Sequence, residues 1–204
     1  MNAAEALGSG GLLADQIPGF APRLSQQRMA EAVTAALEAK STLIVEAGTG
    51  TGKTYAYLVP ALLAGMRVII STGTRHLQDQ LYQQDLPVVR RALAIPVRVA
   101  LLKGRSNYLC PYRLQITEES GRLSSREQVA ELRLIRMWAA RTRHGDIAEV
   151  TNVPETSLIW SRVTSTADNC LGQDCPRLDD CFLVKARREA LAADVLVINH
   201  HLFC

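Results

Sequence analysis

The chain has 204 residues, 48% hydrophobic and 21% charged, enough to bury one ordinary domain with a smaller insertion and too apolar for general disorder. A net charge of +3 is too slight to argue by itself for a nucleic-acid partner, and no apolar run is long enough to cross a membrane. No Lys or Arg precedes Arg23 and no apolar core follows the start, which excludes a secretory signal. Five cysteines then point to a reducing, cytoplasmic setting, where clustered thiols hold metal more often than they pair.

Residues 1–19, with Gly8-Ser9-Gly10-Gly11 and little periodicity, read as a flexible tail. Pro18 to Pro22 turns the chain into a helix with Ser25 as N-cap and Met29, Val33, Ala36 and Leu37 on one face. Gln26 carries an amide donor and acceptor side by side, matching the N6/N7 edge of adenine, and Phe20 could stack on such a base. A solvated glutamine is the plain alternative.

Thr42–Tyr57, TLIVEAGTGTGKTYAY, has the grammar of a phosphate-binding loop. Thr42 to Val45 reads as a short buried strand. Ala47, Gly48, Thr49, Gly50, Thr51 and Gly52 form a loop whose amides can converge on an anion, aided by the start of the next helix. Lys53 would reach the β- and γ-phosphates of ATP, and the Thr54 hydroxyl would sit on Mg²⁺. Ala47 replaces the first glycine of the strict pattern, which is acceptable where the backbone has ordinary φ.

Pro60 should kink or end that helix. Arg67–Ser71 reads as a second buried strand, followed by Thr72-Gly73-Thr74 and a helix from Arg75 to Gln84. Thr72 and Thr74 could donate to a phosphate of single-stranded DNA, or Thr74 could simply cap the helix. A helix at Pro87 to Leu93 precedes a third strand, Val97–Leu102. Lys103, Arg105 and Tyr108 leave its end, offering two cations and a stacking face to single-stranded DNA, or lining a solvated loop.

Beyond Cys110 lies a long arginine-rich helix, Arg126 to Arg143, then a polar stretch, then Cys170, Cys175 and Cys181 among Asp, Gly and Pro. Lys185–Ala193 is helical, and Val195–Ile198 is a fourth strand ending in Asn199-His200-His201. Four thiols (Cys110, Cys170, Cys175, Cys181) suit a [4Fe–4S] cluster; Zn²⁺ is the rival, although only Cys170–Cys175 approaches a zinc knuckle. Cys204 has no evident partner.

Taken together, PR-x-x-Q at Pro22–Gln26, VEAGTGTGKTYAYL, IISTGTRHLQDQL, LLKGRSNYLC, the cysteine triplet and VINHHLF resemble the iron–sulfur superfamily 2 DNA helicases of the DinG and YoaA type, relatives of XPD. DNCLGQDCP and LQDQLYQQDLP are most like the YoaA branch. The resemblance implies a P-loop RecA-like parallel α/β sheet, the incomplete first motor domain, at 20–102 and 188–204. A mainly helical iron–sulfur domain is inserted at 103–187. It also implies that Arg23 and Gln26 form the adenine-reading motif, that Ser71–Leu81 contacts single-stranded DNA, and that the four cysteines ligate [4Fe–4S]. Such enzymes move 5′ to 3′ and act at single-strand/duplex junctions in repair or replication, with other proteins of those processes as partners and no membrane. The acidic box expected after NHHLF does not occur before Cys204, so the piece should bind ATP without turning it over. A nucleotide-dependent redox sensor and a zinc-stabilised DNA-binding module are the other functions compatible with these residues.

Overall fold

The computed structural model describes residues 2–203, so the expectation about Cys204 lies outside the described residues. The chain divides into two compact units, Met1–Leu101 with Ala192–Cys204, and Leu102–Leu191. The expected boundaries were 103 and 187.

In the first unit, α1 (Ala3–Ala6) and α2 (Leu12–Gln16) lie where a loose tail was expected. Asn2 caps α1 and Glu5 returns the bond, a capping box. Ala6, Leu7 and Leu13 are fully buried in the unit's core. The tail expectation overlooked the capping-box spacing of Asn2 and Glu5 and the shared helical face of Ala3, Ala6 and Leu7. Helix α3 (Leu24–Glu38) starts one residue before the expected Ser25 cap, with Arg23 as N-cap and no side-chain cap bond. Helix α4 (Lys53–Leu63) runs through Pro60 instead of breaking there and ends three residues later. β1 (Val68–Thr72) is followed by α5 (Arg75–Gln80), a π-helical turn at Leu81–Asp85 and α6 (Leu86–Leu93). β2 (Val99–Leu102) closes this half.

The second unit is mainly helical, with α7 (Pro111–Ser120), α8 (Arg126–Ala139), α9 (Ile159–Val163) and α10 (Phe182–Ala192). Leu109, Ile135, Ile159, Trp160 and Val163 form its core. Glu149 accepts from both Trp138 Nε1 (2.9 Å) and Thr142 Oγ1 (2.7 Å), fastening the end of α8.

The chain then returns to the first unit as β3 (Val195–Asn199) and α11 (His200–Phe203). The sheet has the order β1-β3-β2, and β1 pairs with β3 in parallel, Val68 opposite Val195 through Thr72 opposite Asn199. Central β3 is buried, whereas β1 alternates and leaves Ile69 55% exposed, correcting the expectation of a fully buried strand. A further correction concerns Thr42–Val45. This run forms no strand, and Ile44 is 92% exposed, because no strand among the described residues pairs with it. Arg98 fastens β3's entry: its guanidinium and backbone N–H hold the Asp194 carboxylate at 2.9–3.2 Å.

Two measurements check this packing. Leu13→Ala should destabilise the protein by about 2–5 kcal/mol in denaturant unfolding, where a loose tail would give no change. Arg98's guanidinium bonds, then its N–H, pull Asp194 from its ordinary 3.8 to about 2. A lowered carboxyl stabilises the folded state above its unfolded value. Its contribution, absent in Asp194→Asn, should therefore fade as pH falls from about 4 towards 2.

Candidate nucleotide loop and thiol site

The glycine loop is shaped by two left-handed residues, Gly50 and Gly52, both at φ 79°. Gly52 is the N-cap of α4, so Lys53 and Thr54 open that helix. Ala47 has no positive φ, which is why alanine serves there. The Gly52 carbonyl accepts the first helical bond, from Ala56 N at 3.2 Å, and a second from Gln26 Nε2 at 3.0 Å. Gln26 is 2% exposed, and its Oε1 has no hydrogen-bond partner among the described residues. A side chain read as solvated or adenine-facing thus reaches the phosphate loop itself. Thr51 Oγ1 donates to Gly48 O at 2.9 Å. Lys53 Nζ is folded over the loop, donating to Ala47 O at 2.7 Å and Gly48 O at 2.8 Å.

Around this loop, Phe20 packs its ring on Tyr55, centroids 6.5 Å apart. Burial, then the Asp85 charge from the π-helical turn, pushes the Tyr57 phenol up. Arg23 is exposed at the start of α3. Thr49 stands exposed in the loop.

At the carboxyl end of β1, Thr74 caps α5 by accepting from Leu77 N at 3.2 Å, and Thr72 Oγ1 donates to Thr74 O at 3.2 Å. Ser71 Oγ lies 3.2 Å from His200 Nδ1, and Asn199 Oδ1 accepts from His201 N at 3.0 Å. Gln78, fully buried, donates to Val197 O at 3.4 Å. Nothing local in the sequence marks Gln78 or Asp85; both depend on neighbours brought by the fold.

In the second unit, two expected DNA contacts prove internal. Lys103 is 3% exposed and pairs with Asp146 at 2.7 Å. Tyr108 is buried and its hydroxyl accepts from Lys103 N at 3.0 Å. They brace the segment that carries Cys110. That segment is held between two others, with Leu109 N donating to Gly145 O and Cys110 N to Val163 O, each at 2.8 Å.

Cys110, Cys170, Cys175 and Cys181 are all free, half-buried thiols lining one cavity of about 180 Å³. Arg105 lines it too. Among the described residues, no three His, Cys, Asp or Glu side chains gather closely enough to hold a single metal ion. Cys110 is the N-cap of α7. Burial pushes its thiol up, the N–H groups of Arg113 and Tyr112 draw it down, and Cys181 and Cys175 push it up again. Cys170 accepts from Gly172 N at 3.4 Å. Four sulfurs thus open on one cavity, with Cys110 at a helix N-terminus.

A sequence profile of the DEAD/DEAH box helicases matches residues 26–108. The chain is 56% identical to the ATP-dependent DNA helicase YoaA of Escherichia coli and 50% identical to that of Haemophilus influenzae, each over 95% of this chain. It is 39% identical to the ATP-dependent helicase DinG of Mycobacterium tuberculosis, over 90% of this chain. It spans only 30–31% of the length of these relatives. Among the described residues, no helix is long and apolar enough to cross a membrane.

The loop geometry sets a contrast between its glycines. Gly52→Ala combines left-handed φ with a Cβ that would collide with the Gln26 amide, and should cost about 1–3 kcal/mol in thermal unfolding. Gly48→Ala, with ordinary φ and open space, should be neutral or stabilising by about 0.4–1 kcal/mol.

Proposed function

We propose that this chain, which belongs to the DEAD/DEAH box helicases of the YoaA and DinG type, forms the nucleotide-binding front of an ATP-driven DNA-unwinding motor. The supporting observation is the Gln26–Gly52 hydrogen bond inside the span matched by the helicase profile. It draws an upstream glutamine onto the glycine loop from which Lys53 and Thr54 emerge. The Lys53 ammonium and the loop amides take the triphosphate, exchanging neutral carbonyl partners for phosphate oxygens in stronger, charge-assisted bonds. Thr54, in the first turn of α4, would supply a hydroxyl for Mg²⁺. Gln26 and Arg23 flank the adenine side, with Gln26 Oε1 free to accept from the adenine amine. Thr72 and Thr74, at the carboxyl end of β1, serve single-stranded DNA.

Cys110, Cys170, Cys175 and Cys181 would hold a [4Fe–4S] cluster, whose iron would supply the positive charge that four neighbouring half-buried thiolates need. What favours a cluster over Zn²⁺ is spacing along the chain. Only Cys170–Cys175 approaches the paired knuckle of structural zinc sites. Four thiols around one wider cavity suit a larger core. The 5′-to-3′ direction and action at duplex junctions rest on the family resemblance alone.

No apolar strand in this span ends in Asp-Glu, so residues 1–204 by themselves bind nucleotide without steady hydrolysis. The deciding experiment is anaerobic purification with metal and sulfide analysis, alongside Mg²⁺–nucleotide titration. The expected result is about four iron and four sulfide per chain, nucleotide binding that Lys53→Ala abolishes, and no turnover. A colourless, zinc-loaded protein would overturn the cluster, and unchanged nucleotide binding by Lys53→Ala would overturn the motor.

A further inference from the structure

Cys110 and the Cys175–Cys181 loop are distant in sequence, and local backbone bonds order each of them separately. In the loop, Leu178 N donates to Cys175 O and Cys181 N to Leu178 O, each at 3.1 Å, giving two successive turns. Cys110 is placed by the start of α7. One side chain joins the two. Arg177 donates from Nε and Nη2 to Asp180 Oδ2, at 3.0 and 2.9 Å, and from Nη1 to Gln115 Oε1, at 3.2 Å. Gln115 belongs to α7, little more than a turn beyond Cys110. Its Nε2 donates to Glu119 Oε1 at 2.8 Å, which leaves its carbonyl oxygen turned to Arg177.

We infer that Arg177 is a positioning residue for the thiol site, stapling the Cys175–Cys181 loop to α7 so that Cys110 keeps its distance from Cys175 and Cys181. The inference rests on the cluster reading above. The planar guanidinium is required because its fork addresses Asp180 with one edge and Gln115 with the other. A lysine ammonium is a point charge and holds one at a time. Arg177 and Asp180 are partly exposed, at 39% and 57% of their side chains, so the pair adds little to overall stability. The consequence of losing it therefore falls on ligand spacing. Residues outside the immediate ligand set of a metal site commonly act this way, with effects on the order of 10–100-fold on metal retention.

The test uses the anaerobically purified protein, with iron and sulfide measured first and then the rate at which an iron chelator bleaches the visible absorption band. Arg177→Ala should bleach on the order of tenfold faster than the parent. Arg177→Lys should be as fast as Arg177→Ala, and Gln115→Ala should also accelerate loss. The Arg177→Ala/Gln115→Ala double variant should be no faster than Arg177→Ala alone, because both remove one link. Nucleotide affinity and the thermal midpoint should stay at parent values. A parent without iron sinks the cluster reading and this inference with it. A cluster-loaded parent with Arg177→Ala bleaching at the parent rate, or full rescue by lysine, overturns the staple alone. Should Arg177→Ala fail to fold, the exposed Gln115→Ala decides, and bleaching at the parent rate there overturns the staple as well.

Discussion

The parallel register of β1 against β3 is the constraint on which the rest depends. Val68–Thr72 lies opposite Val195–Asn199, and a parallel pair cannot be joined by a tight turn. The connection here contains two helices, a π-helical turn, β2 and the whole unit from Leu102 to Leu191. Such an insertion is tolerable because its ends lie on neighbouring strands: the chain leaves at the end of β2 and re-enters through β3 beside it. The same register sets Thr72 opposite Asn199 and brings Ser71 within 3.2 Å of His200. The carboxyl ends of two strands, where ligands of open α/β sheets lie, are thus tied together by side chains from segments far apart in sequence.

What the sequence discloses well is chemistry that is local. The glycine loop is legible because left-handed turns at Gly50 and Gly52, and a helix opening at Lys53, depend on neighbours within a few residues. Thr74 as a cap is legible for the same reason. A strand is different, since it exists only beside a partner. Thr42–Val45 has the composition of one, yet its groups find no ladder among the described residues. The buried N-terminal helices were missed although a signal was present. Asn2 and Glu5 stand at capping-box spacing, and Ala3, Ala6 and Leu7 fall on one helical face.

The cysteines occupy a middle ground. Composition around them marks them as candidate ligands, and counting gives four, but spacing along the chain says little about spacing in space. Only the fold shows all four opening on one cavity. Arg177 is equally invisible beforehand, since Asp180 is near in sequence and Gln115 is not.

Two lysines show why residue type alone misleads about ligands. Lys53 and Lys103 each sit next to a glycine, beside or just beyond an apolar run, and each invites a phosphate. Lys53 is exposed, and its partners are neutral carbonyls of its own loop, so redirecting the ammonium to a phosphate strands no charge. Lys103 is buried against Asp146, and drawing it out would leave a mostly buried carboxylate uncompensated, a loss of about 3–5 kcal/mol. A phosphate contact at an exposed loop cannot repay that, because solvent and salt weaken it. The ordering of cost therefore separates a lysine available to a ligand from one committed to the fold, and it follows from Asp146, a residue that no reading of the Lys103–Tyr108 loop by itself would include.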